Sequence, residues 1–132
     1  IIMKVEVSDG EVLDKLSILE IKLENIQDEA KLVNIGKEHV TLLETIGQPD
    51  WHEHVFRRHG FYDQLKEINK ELWDIEDEIR LKEKSQEFDS IFIKLARRVY
   101  RTNDKRAEMK KEINIYTGSN LLEEKSYEDY SQ

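Results

Sequence analysis

Arg97, Arg98, Arg101, Lys105 and Arg106 put five cations into ten residues of a chain whose formal net charge is -8. Guanidinium forks match the paired oxygens of carboxylates and phosphates, so this cluster could grip a phosphate, a nucleotide or a sugar acid. Tyr100 and Asn103 lie within it and add hydrogen-bonding capacity, and Asp14, Lys15 and Glu20 are polar residues of an earlier helix that could complete such a ligand site. The plainer reading is a solvated basic face opposite acidic neighbours, worth about 0–1 kcal/mol per pair.

Two other groupings could hold a metal. His52, His54 and His59 crowd one loop beside Glu53, and imidazoles that close could bind zinc or nickel, but no fixed outer shell of partners is legible around them. They read as solvated loop histidines, and no metal or other cofactor is expected. Glu67, Glu71, Asp74 and Glu78 stack on one helical face, as a magnesium-binding row would. The all-helical nucleotide pyrophosphohydrolases carry Glu-Glu-x-x-Glu followed by Glu-x-x-Asp, and only Glu71-x-x-Asp74 matches. A helical chorismate mutase would need an arginine on its first long helix, and the first Arg here is Arg57. No glycine-rich phosphate loop, serine elbow or His-Glu-x-x-His helix is present.

These residues must be positioned by helices. With 132 residues, 38% hydrophobic and 38% charged, one Pro and five Gly, the chain reads as a single all-α domain, a bundle of three to four helices. Its centre is a long antiparallel hairpin over about 61–117. Phe61, Leu65, Ile68, Leu72, Ile75 and Ile79 fall at alternating steps of four and three, the spacing of a packed helical seam. Phe92, Leu95, Val99, Thr102, Arg106, Met109, Ile113 and Tyr116 continue that spacing on the returning helix. Antiparallel pairing sets Ile79 opposite Leu95, Ile75 opposite Val99 and Phe61 opposite Ile113, and predicts the flanking ion pairs Glu78–Arg98 and Glu71–Lys105. Arg106 then stands where an apolar residue belongs. It must find a carboxylate, snorkel to solvent or face a bound anion.

Before the hairpin, Met3, Val5 and Val7 alternate with Lys4 and Glu6, the period of a short strand that would need a partner. Ser8-Asp-Gly-Glu11 is a capping box, with Glu11 expected to reach back to the Ser8 N–H. The helix it opens carries Val12, Leu16, Leu19, Leu23 and Ile26, with Leu13, Ile18 and Ile21 widening its apolar surface, as a central helix or an oligomer interface would require. Asp28 caps a second helix that Gly47 and Pro49 end. A turn of helix is expected from Asp50 to about Arg58. Residues 119–132 form a polar, acidic tail expected to be mobile at its end.

The acidic charge and a pI near 5.1 argue against nucleic-acid binding. The absence of Cys excludes disulfides and thiolate chemistry. With no apolar run near membrane-spanning length and no leader-like N-terminus, no membrane association is expected, and the expected setting is the cytoplasm.

Two blocks carry a family resemblance. They are Val7-Ser-Asp-Gly-Glu-Val-Leu-Asp-Lys-Leu-Ser-Ile-Leu-Glu-Ile-Lys22, and Leu95-Ala-Arg-Arg-Val-Tyr-Arg-Thr-Asn-Asp-Lys-Arg106 leading to Glu112-Ile-Asn114 and Glu123-Glu-Lys-Ser-Tyr127. Over nearly its whole length the chain resembles an uncharacterised bacterial family of short helical proteins, six-one-six-five of the domain-of-unknown-function series. The loop 48–60 looks longer than the family's usual connection. The resemblance implies a short helical fold and no particular activity. The expected function is therefore a non-enzymatic helical interaction or scaffold module, homo-oligomeric as a dimer through the first helix or the N-terminal strand. The alternative is a binder or enzyme for an anionic small molecule, built on Arg106, Asn103, Tyr100 and Arg101.

Overall fold

The computed structural model describes residues 2–131, and among them the fold is all-α. The helices are α1 (Asp9–Asn25), α2 (Glu29–Ile46), α3 (Phe61–Lys84) and α4 (Ser90–Thr117), with a single π-helical turn over His54–Arg58 between α2 and α3. No strand occurs among the described residues; residues 2–7 lack a hydrogen-bonded partner and are exposed.

Local chemistry sets the ends of these helices. Ser8 caps α1 by accepting from the Glu11 N–H, Asp28 caps α2 through the Lys31 N–H, and Asp89 caps α4 through the Phe92 N–H at 3.0 Å. The Glu11 side chain does not reach back to Ser8 as the capping-box pattern predicts; it bonds Lys110 on α4 instead. Gly118 ends α4 with φ +69, and its N–H satisfies carbonyls of the last turn.

α3 and α4, roughly 36 and 42 Å long at 1.5 Å per residue, are joined by residues 85–89 and run back along one another. Phe61 meets Tyr116 at 5.4 Å between rings, while Asn69 and Arg106 share one carboxylate oxygen farther along. The apolar spacing is therefore used much as the sequence suggests, with Leu65, Leu72, Ile75, Leu95 and Ile113 buried. The flanking charges depart from expectation. Arg98 pairs with Glu71 at 3.5 Å, and neither Glu78–Arg98 nor Glu71–Lys105 forms among the described residues. All four are long side chains, Glu71 half-exposed and the others exposed, that can reach diagonally at little cost, so they constrain register weakly.

Burial also extends to residues next to the seam, namely Tyr62, Asn69, Lys110 and Asn114, because α1 lies across that flank. α1 packs on α2, α3 and α4 at once, which buries Leu13, Leu16, Leu19 and Ile21. Most of its wide apolar surface is thus consumed inside the chain, which makes α1 the central helix, and Leu23 is left exposed. The main core gathers Leu13 and Leu16 of α1, Val55 of the π turn, Tyr62 and Leu65 of α3 and Ile113 of α4, with Leu42, Ile46, Trp51 and Phe56 against it. No helix among the described residues is long and apolar enough to cross a membrane.

Candidate functional site

The first turns of α1 and the second half of α4 are stitched together by polar side chains. The Gly10 N–H donates to Asn114 Oδ1 at 2.6 Å, the Asp9 N–H donates to Ser119 Oγ at 3.1 Å, and Thr117 Oγ1 donates to Asp9 at 2.7 Å. With the Glu11 N–H on Ser8, the first turn of α1 spends its free donors on the protein's own oxygens. Gly10 is required by contact: a Cβ there would lie 2.5 Å from the Lys110 carbonyl oxygen.

One turn further, Asp14 is buried at 1% exposure. Arg106 donates to both of its oxygens, from Nε at 2.9 Å and from Nη2, and Asn69 Nδ2 donates at 2.9 Å. Asn69 also reaches Ser17 Oγ at 2.7 Å, and that hydroxyl donates to the Asp14 carbonyl at 2.7 Å. Every member of this network has partners, which is the condition under which a buried polar cluster is tolerated. The Asp14 carboxylate holds the Arg106 guanidinium above its ordinary pKa against the opposing effect of burial. Thr102, the other polar residue of the seam, is buried one turn before Arg106.

Beside the network lies Lys110, buried at 9% exposure, whose ammonium donates to Glu11 at 2.5 Å and to Glu123 at 3.3 Å. Glu123 belongs to the tail, which folds back along α4. Tyr130 hydrogen-bonds Asp104 and packs edge-on against Tyr100 at 5.1 Å. The tail, α4 and the start of α1 enclose an open groove of about 1410 Å³, with Arg106, Lys110, Tyr100, Asn103 and Tyr127 among its walls.

Of the residues singled out from sequence, Asp14 and Arg106 meet directly, and Tyr100 and Asn103 line the groove beside them. Arg101 lies outside it, in a separate shallow cleft of about 700 Å³. Lys15 and Glu20 turn elsewhere: Lys15 pairs with Glu38 of α2 at 3.0 Å, and Glu20 faces Lys66 of α3 at 3.7 Å. His59 stacks between His54 and Phe61 with Tyr116 tilted against them, and His52 stacks on Phe56 at 4.6 Å. Among the described residues no group of three or more His, Cys, Asp or Glu is placed to hold a metal ion. Lys110, Glu11, Asn69, Ser17 and Glu123 were not among the site residues expected from the sequence. The available signal was spacing, since Lys110 follows Arg106 by one helical turn and Glu11 precedes Asp14 by nearly one.

A family model described as "Family of unknown function (DUF6165)" matches residues 3–131. The chain belongs to this family. No curated protein and no solved structure matches it. The two blocks that carry the DUF6165 resemblance are the two that meet here, Ser8 to Ser17 on one side and Thr102 to Glu123 on the other.

Lys125 and Lys110 hold the Glu123 carboxyl well below its usual 4.5, at about 2. The part of this lowering that comes from Lys110 stabilises the docked tail above the ordinary carboxylate range and disappears as pH falls toward the lowered value; the part from Lys125 arises within the tail itself. Carbon-detected NMR titration of Glu123 is expected to show a midpoint near 2, with tail amides next to it shifting in the same step. A midpoint at the ordinary 4.5 would mean that the tail does not dock through this residue.

Proposed function

We propose that this chain is a non-enzymatic helical interaction module, a small helical bundle that self-associates as a dimer through the outer face of α2. The observation that carries the reading is the stripe Val33, Gly36, Val40 and Leu43. It recurs at steps of three, four and three, as a helix-pairing seam does, and its Val33, Val40 and Leu43 are exposed on the flank of α2 beside the buried Ile35. Val33 and Val40 are more than half exposed, and a Cβ on Gly36 would meet nothing within 4 Å. α2 also packs mainly on α1, so it presents this face without a covering helix. Arg106 as the principal anion ligand is less favoured, because the two oxygens of Asp14 already take up its Nε and Nη2.

Sedimentation velocity at roughly 100 μM should give a dimer, and Val40→Glu with Leu43→Glu should give a monomer of unchanged helicity, since exposed substitutions cost within about 0.5 kcal/mol. A wild-type monomer at that concentration would overturn the reading.

A further inference from the structure

The junction of α1 and α4 is already balanced in charge without the tail. Asp14 answers Arg106 and Glu11 answers Lys110, each acid on α1 and each cation on α4. Glu123 is a second carboxylate on an ammonium that has one, and it arrives on a segment with no helix or strand of its own. Lys110 can use it because an ammonium carries three donors and Glu11 takes one.

We propose that the groove above Lys110 is a binding site for a small molecule bearing a carboxylate, and that Glu123 holds that carboxylate's place in the unliganded chain. The donors around the position converge. Lys110 is on the floor, Lys125 bonds Glu123 from the rim at 2.6 Å, and Arg106 lines the same groove with Nη1 not bonded to any described residue. Rings of Tyr100, Tyr127 and Tyr130 form the adjoining wall, flat apolar faces with polar tips suited to the body of a sugar acid or a similar ring. Glu6, Asp104 and Glu128 line the groove as well, and their charge disfavours a polyphosphate while tolerating one carboxylate.

Glu123 can yield its place while the tail stays. Its side chain is 39% exposed, so the carboxylate can turn to solvent while Tyr130 remains held on Asp104 and Tyr100 and the groove keeps its wall. The site is on the opposite partner of α1 from α2, and the inference stands whether or not α2 pairs with a second copy.

Amide NMR spectra of the full chain, titrated with sodium glucuronate at constant ionic strength and with glucose as the neutral control, test this. Glucuronate should shift amides around Lys110 and Tyr100 in the wild type. Glu123→Gln should tighten binding about three- to tenfold, because the competing internal carboxylate is removed. Lys110→Met should abolish the shifts; if its helicity differs from wild type, Lys110→Gln serves the same purpose. Equal affinity of wild type and Glu123→Gln, equal shifts with glucose, retention of binding without the Lys110 ammonium, or no shift in any variant would each overturn the proposal.

Discussion

Asp14→Ala is expected to cost about 3–5 kcal/mol of folding stability, the range for removing one partner of a buried ion pair. Arg106 would lose both of its hydrogen-bond acceptors and Asn69 one of its two, while the guanidinium would stay half-buried between α1, α3 and α4. Domains of this size are held by about 5–15 kcal/mol in total, so the loss would be a large share. Urea unfolding followed by circular dichroism measures it. The double variant Asp14→Leu with Arg106→Met should recover most of the loss, because a removed pair leaves no stranded charge whereas a broken pair does. If Asp14→Ala lost less than about 1 kcal/mol, the Arg106 head would have swung to solvent, and the network would not be what fastens α1 to α4.

Gly10→Ala is expected to destabilise by about 1–3 kcal/mol, the cost of forcing a methyl into a packed site. The added carbon would sit 2.5 Å from the Lys110 carbonyl oxygen and 2.9 Å from Asn114 Oδ1. The carbonyl belongs to the middle of α4 and cannot rotate away. α1 would have to retreat, lengthening the 2.6 Å bond from the Gly10 N–H to Asn114. Gly36→Ala, measured at concentrations low enough for the chain to be monomeric, is the matched control, since nothing within the chain lies near its Cβ, and it should stabilise by about 1 kcal/mol from helix propensity alone. Opposite signs in thermal melts of the two variants would separate crowding from propensity. Two stabilised variants would mean that α1 does not approach α4 closely.

Much of the framework was legible from spacing. Periodic apolar residues placed α3 and α4, and Ser8, Asp28 and Gly47 marked ends that the structure uses. Arg106 stood out as a cation in an apolar row, and the carboxylate it required was on α1, as Asp14. Lys110, Asn69 and Asn114 were not legible, because their burial depends on a third helix lying across the seam, and a two-helix pattern carries no trace of it. The ion pairs Glu78–Arg98 and Glu71–Lys105 failed because exposed Arg, Lys and Glu choose among several partners of similar energy. The N-terminal alternation is real as a pattern, but a strand exists only when another backbone pairs with it, and none does so within the described chain.

Joining residues 9–14 to residues 106–119 closes loops of 92 to 110 residues. Loop closure over that span is entropically costly, and contacts so far apart in sequence slow the search for the native state. During synthesis the first helix emerges about ninety residues before the arginine that neutralises its buried aspartate, so it waits with an unmatched acid on its inner side. The settling of α1 is thus governed by α4: until that segment leaves the ribosome, α1 lacks the partner that neutralises its buried acid.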